Sequence, residues 1–105
     1  MIKTVVLIPV SDNDGNLFSN KDWQELEARF IAVLGGYSRH VDVPGAWRDD
    51  EGRLYDDVSR QYVVYLASFR QLPAWLGIVD WAREHFRQEA IATEINGYPE
   101  IFGSG

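Results

Sequence analysis

The chain has 105 residues, 46% of them apolar and 25% charged, which is the balance of a single globular domain spanning residues 1–105. It has no cysteine, which removes disulfides, thiolate nucleophiles, zinc ribbons and cysteine-held iron–sulfur clusters, and its net charge of −6 argues against nucleic acid and anionic lipid as partners. No apolar run reaches the roughly 18 residues of a membrane span, and Met1-Ile2-Lys3-Thr4-Val5 lacks the pattern of a signal peptide, so a soluble cytoplasmic protein is expected.

Ile2 to Val10 is an almost continuous apolar run rich in β-branched residues, as a central strand covered on both faces requires. Ser11-Asp12-Asn13-Asp14-Gly15-Asn16 is a turn cluster. Ser19 or Asn20 then caps a helix whose Trp23, Leu26, Phe30, Val33 and Leu34 share one narrow arc, and Gly35-Gly36 stops it.

Tyr37 to Arg48 reads as the second strand, interrupted by Pro44-Gly45, and Arg53 to Ala67 as the third. With Gly52 in the left-handed position of a type I turn with a G1 bulge, Asp49 faces Arg53, Trp47 faces Tyr55 and Asp42 faces Arg60. An extra residue at Pro44-Gly45 would shift every pair beyond it by one. The second helix runs from Leu72, with Pro73 in its first turn, to Phe86. Leu72, Trp75, Leu76, Val79, Ala82 and Phe86 form its main stripe, and a flanking stripe of Ala74, Ile78, Trp81 and His85 implies that something covers Trp81. Glu89 to Ile95 is the fourth strand, and Asn96-Gly97-Tyr98-Pro99 turns the chain into a short tail.

The order strand, helix, strand, strand, helix, strand predicts an α+β, ferredoxin-like βαββαβ domain. Its four-stranded antiparallel sheet carries both helices on one face, with the first and third strands central. The other sheet face, with Val5, Leu7, Val63 and Tyr65, is then too apolar to stand in water, and a partner subunit or a ligand is expected on it.

Strand alternation sets Tyr55, Asp57, Ser59, Gln61, Val63 and Tyr65 on that open face, joined in the same register by Trp47, Val41, Arg39 and Tyr37. Apolar walls with a few oriented polar groups suit a small-molecule pocket, and the same composition suits a homodimer interface. Asp56-Asp57 with Glu89 could supply a general base if one carboxylate sits against Trp47 or Tyr55 away from a cation. The plain alternative is a solvated hairpin whose acids and arginines pair across strands.

The cofactor motifs are missing. Counted from Asp12, the acidic loop puts glycine and the twelfth ligand in the wrong places for an EF-hand, there is no GxxxxGK[ST] or GxGxxG pattern, and Ser59 has no GxSxG context. His40 and His85 form no local metal motif. No metal and no cofactor are therefore expected.

The succession Gly45-Ala46-Trp47, Asp49 to Gly52, Ser59 and Phe86-Arg87-Gln88-Glu89-Ala90-Ile91 resembles small uncharacterised bacterial proteins. In those, a G-x-W, a D-x-x-G turn, a Ser and an F-x-Q-E-[AS] segment occur in this order. The resemblance spans about Phe30 to Ile95 and implies a ferredoxin-like domain of unassigned activity, with Trp47, Ser59, Gln88 and Glu89 drawn together. The expectation is a homo-oligomeric protein, as a homodimer, binding a small ligand or partner through Trp47, Tyr55, Asp57, Ser59, Gln61, Tyr65, Gln88 and Glu89. A cofactor-free enzyme using Asp57 or Glu89 as acid or base, and a protein interaction module, are the rivals.

Overall fold

The structure, a computed structural model, describes residues 1–103, Trp47 by its backbone alone. Strand β1 is Ile2–Pro9, helix α1 Asn20–Arg29, strand β2 Ser38–Arg39, strand β3 Val43–Arg48 and strand β4 Leu54–Leu66. Helix α2 is Leu72–His85, followed by strand β5 Ala90–Ile95 and strand β6 Tyr98–Gly103. All pairs are antiparallel, in the order β2-β4-β1-β5-β6 with β3 also on β4. The α+β architecture with β1 and β4 central is as expected, but the sheet has six strands instead of four.

Both extra strands have local causes. The expected tail is an edge strand, because Asn96 and Gly97 take φ of 51° and 85° and close a two-residue hairpin that pairs Ile95 with Tyr98. The second strand is split by a one-residue slip. Arg39 lies opposite Tyr62 and Val43 opposite Ser59, so residues 40–42 face only 60 and 61. Pro44-Gly45 adds no residue, and the pairs Trp47 with Tyr55 and Asp49 with Arg53 hold as expected.

The slip corrects the face assignment of the residues before it, since one residue of shift turns alternate side chains over. Tyr37 and Arg39 belong to the helix side: the Tyr37 ring lies 6.2 Å from Phe30 and 5.7 Å from Tyr62, and Arg39 pairs with Glu27 of α1 at 3.4 Å.

Helix α1 starts where Ser19 accepts from the Asp22 N–H while the Asp22 carboxylate accepts from the Ser19 N–H, a reciprocal capping box. Its last turn widens into a π turn, Phe30–Leu34, closed by Gly35 at φ 88°. The wider turn breaks the 100° phase, so Trp23, Leu26 and Phe30 are buried while Val33 is exposed, against expectation. Helix α2 buries Trp75, Ile78, Val79 and Ala82, and Leu76 is half out of the core.

Val6, Ile8, Tyr62, Val64, Leu66 and Ile91 supply the sheet's side of one core, packed against Trp23, Leu26, Phe30, Trp75, Val79 and Phe86. Each such side chain contributes on the order of 1.5–3 kcal/mol by leaving water. Thr4, also buried, donates to the Val64 carbonyl at 2.6 Å. Trp81 is covered from within the chain: His85 stacks on its ring at 4.5 Å and the Arg29 guanidinium lies 3.6 Å from its centroid. No helix among the described residues is long and apolar enough to cross a membrane.

Candidate functional site

On the side of the sheet away from the helices, β3 at one flank and β5–β6 at the other wall a trough whose floor is β1 and β4. Two hollows share Leu7, Ala92 and Ile101. One, of about 660 Å³, is lined further by Pro9, Val43, Gly45, Ala46, Asp57, Ser59, Gln88 and Ala90. The other, of about 680 Å³, is lined further by Val5, Gln61, Thr93, Glu94, Pro99 and Glu100. Each has the size of a small-molecule site. Val5 and Val63 are 5% and 3% exposed, so part of the apolar face expected to need a partner is already shielded by its neighbours.

Small residues make the room. Gly45, Ala90 and Ala92 stand where larger side chains would fill the trough. Gln88 reaches its edge because α2 ends in a Schellman motif: the Arg87 N–H donates to the Glu84 carbonyl, the Gln88 N–H to the Arg83 carbonyl, and Arg87 takes φ 53°. That left-handed residue turns the chain out of the helix and into β5. The Gln88 amide donates to the Phe86 carbonyl at 2.9 Å, which fixes its orientation at the junction.

Of the residues expected at the site, Asp57, Ser59 and Gln88 line the first hollow and Gln61 the second. Tyr65 stands on β4 opposite Lys3, 55% exposed and beyond the lining of both. Tyr55 is out on the β3–β4 arm, donating to Asp49 at 3.3 Å. Glu89 is exposed just ahead of β5 and lines neither hollow. Trp47 is opposite Tyr55 in the ladder, and its side chain lies outside the described residues. The structure therefore brings Ser59 and Gln88 together as expected and leaves Glu89 outside.

Ala92, Glu94, Glu100 and Ile101 are lining residues that the sequence does not point to while β6 reads as a tail. The signal for the strand is nonetheless present: Asn96-Gly97 is the strongest short hairpin sequence, flanked on both sides by residues suited to strands.

The trough is one-signed. Asp57 and Glu94 stand on its face; Glu100, opposite Thr93 in the ladder, alternates to the helix side, and no lysine or arginine lines it among the described residues. The arginine of that region is turned to the other face, where Arg60 pairs with Asp42 at 3.2 Å and lies 4.5 Å from the Trp23 ring. An apolar, anion-lined hollow favours a ligand that is flat or apolar in part and carries positive charge.

No family model matches the chain, and no curated protein matches it by sequence. Among solved structures, a phage SAM lyase in complex with S-methyl-5′-thioadenosine is similar over 98% of this chain and 89% of its own, with a TM-score of 0.76 at 17% identity. The apo state of a phage SAM lyase matches over the same shares with a TM-score of 0.74 at 16% identity. A divalent cation tolerance protein (Cut A1) from Thermus thermophilus matches over all of this chain and 84% of its own, with a TM-score of 0.55 at 10% identity. At such identities the likeness is one of fold: the two-helix, antiparallel α+β arrangement.

Proposed function

We propose that the open sheet face binds a small organic cation and that the chain is an enzyme cleaving S-adenosylmethionine to S-methyl-5′-thioadenosine. The observation that carries this reading is the trough itself: two adjoining hollows of about 660 and 680 Å³, apolar where they join, rimmed by Asp57 and Glu94 and free of basic lining among the described residues. The fold shared with a lyase of that substrate class supports it.

The chemistry suits a chain without a cofactor. Releasing the methylthioadenosine breaks the bond between the sulfonium sulfur and the γ-carbon of the amino-acid chain, and the bonding pair stays on sulfur. In the same step the substrate's own carboxylate attacks the γ-carbon from the side opposite sulfur and closes a lactone, so atoms and charge balance without an oxidant, a reductant or an external base. Positive charge disappears from sulfur along the way, so a carboxylate placed at sulfur would hold the ground state more tightly than the transition state. The productive arrangement sets the sulfur against the apolar junction of the hollows, Leu7, Ala92 and Ile101, with the ammonium group at Glu94. Ser59, Gln88 and Asp57 then face the nucleoside, whose hydroxyls and ring nitrogens need hydrogen-bonding partners.

The test is incubation of the purified protein with S-adenosylmethionine and chromatography of the products. Methylthioadenosine formed in proportion to enzyme, and lost in Asp57→Asn and Glu94→Gln variants, is the expected result. Absence of both turnover and saturable binding in the millimolar range overturns the reading.

A homodimer is the second reading, carried by the β3–β4 arm. None of the described residues 38–58 is buried, and Val41 and Leu54 are 89% and 59% exposed. A two-stranded ribbon is marginal alone, and a second copy packed on these side chains would hold it. Light scattering across concentrations tests this, with a constant mass near 12.0 kDa as the result that overturns it.

A further inference from the structure

The helix side of the sheet, opposite the trough, holds a convergence of ligand-type atoms. The Nε2 of His85, in the last turn of α2, lies 2.8 Å from Asp22 Oδ1 and 3.3 Å from Glu25 Oε2, both on α1. The three donor atoms all lie within 4.8 Å of one another. We propose that Asp22, Glu25 and His85 form a binding site for a first-row divalent transition metal ion such as Zn²⁺, clamping α1 to α2.

Protons alone serve this arrangement poorly. Nε2 carries at most one hydrogen, yet two carboxylate oxygens converge on it, and their mutual repulsion is answered by that single donor. A divalent ion neutralises both carboxylates and accepts the imidazole lone pair. With bonds of ~2.0–2.2 Å to each donor, neighbouring ligands of a tetrahedral or octahedral ion stand ~3.0–3.5 Å apart, close to the 2.8 and 3.3 Å from His85 to the two carboxylates, which themselves lie within 4.8 Å of each other. One imidazole and two carboxylates suit Zn²⁺ and its neighbours better than Ca²⁺ or Mg²⁺, and partial exposure leaves room for water to complete the shell.

The surroundings orient all three groups. The His85 ring is stacked on Trp81, with centroids 4.5 Å apart and planes at 15°, and meets Phe86 edge-on at 5.1 Å. Asp22 uses its second oxygen, Oδ2, to accept from the Ser19 N–H and hydroxyl at 3.0 Å each, so Oδ1 is held toward His85. Such outer contacts fix ligand orientation in metal sites. The nearby cation, Arg29, is drawn onto the Trp81 ring and donates to the Glu25 backbone carbonyl, not to its carboxylate. His85 and the two acids are some sixty residues apart in sequence, which is why the histidine spacing gives no metal motif.

The experiment is a Zn²⁺ titration of chelator-treated full chain by calorimetry, with imidazole signals of His85 and His40 followed by NMR. One ion per chain, a shift of the His85 signals with those of His40 unmoved, and at least a tenfold loss of affinity in Glu25→Gln and in His85→Gln are expected. Glu25→Gln touches no cap and no core contact, so it reads the site even if His85→Gln folds poorly. Absence of saturable binding below about 1 mM, unchanged affinity in Glu25→Gln, or binding that leaves the His85 signals in place overturns the proposal.

Discussion

Tyr62, at the middle of the central strand β4, donates its phenolic hydroxyl to the Glu27 carboxylate of α1 at 2.7 Å. The bond ties helix to sheet through an aromatic cluster in which the Tyr62 ring also meets Phe30 at 5.6 Å and Trp23 at 6.3 Å. Burial, then the negative charge of Glu27, push the Tyr62 phenol above its ordinary 10.0. Burial and Glu27 raise Tyr37 in the same direction.

The sign follows from linkage. Below pH 10 the phenol is neutral both folded and unfolded, and its contribution is complete. Above that the unfolded chain ionises first, so stability falls as pH rises toward the folded value. Tyr62→Phe should cost about 1–2 kcal/mol at neutral pH, the scale of a hydrogen bond to a charged acceptor. It should also flatten the alkaline loss of stability seen in denaturant titrations between about pH 9 and 11, leaving the part due to Tyr37. An alkaline limb unchanged by the substitution would contradict the account.

Gly45 offers a clean way to close the trough. It lies opposite Asp57 on the ladder, lines the first hollow, and a Cβ built there meets no heavy atom within 4 Å. Gly45→Phe should therefore fold normally and place a ring in the ligand space. Binding of S-adenosylmethionine should weaken at least tenfold by calorimetry while the circular dichroism spectrum stays that of the parent. Full affinity in this variant would move the ligand off the open face.

Asp12 organises the first loop. Its Oδ1 accepts from the N–H groups of Asn16 and Asp14 at 2.9 Å each, and Arg87 stands 3.5 Å from its other oxygen. The Asn16 N–H is the main reason that the carboxyl sits below its ordinary 3.8, with the Asp14 N–H and Arg87 adding to it. A lowered carboxyl stabilises the fold above the unfolded value and loses that contribution as pH falls through the folded one. Asp12→Asn should therefore melt below the parent at pH 7, and the gap should close below pH 3.8. A gap as wide in acid as at pH 7 would show that loop packing, and not the charge, is the cause.

Periodicity reveals the two helices, the central strands and the hairpin turn because each buries its pattern locally: Trp23, Leu26 and Phe30 at helical spacing, Ile2 to Val10 without a polar face. What it cannot reveal is phase after an irregularity. The slip at His40 to Asp42 turns Tyr37 and Arg39 to the helix side, and the π turn rotates Val33 into solvent. The slip is held by the Tyr37 ring against Phe30 and Tyr62 and by Arg39 on Glu27, contacts between separate elements that alternation along one strand does not carry. Half of the trough follows from alternation on β4, as Asp57, Ser59 and Gln61 show. The other half depends on β6, whose Asn96-Gly97 hairpin signature also reads as the start of a tail.

That edge strand is itself open to test at Gly103. It pairs with Ala90 at the far end of β6, and a Cβ there would stand 2.6 Å from the Glu89 carbonyl oxygen and 2.8 Å from the Ala90 Cβ. These are backbone and short side-chain atoms that cannot swing aside, so Gly103→Ala must push the strand end outward. The expected cost is about 1 kcal/mol, at the low end for overpacking because an edge strand can shift, or roughly a 4 °C fall in Tm. Gly36→Ala, where a Cβ meets nothing within 4 Å, should leave Tm within a degree and serves as the control. Hydrogen exchange should locate the damage: the amides of Ile91 and Thr93, which face β6 in the ladder, lose protection while those of Val6 and Val64 keep theirs. Since Pro99 and Ile101 of the same strand line the trough, ligand affinity should fall with that protection. Loss of protection in β5 with affinity intact would mean that β6 closes the sheet edge without building the site.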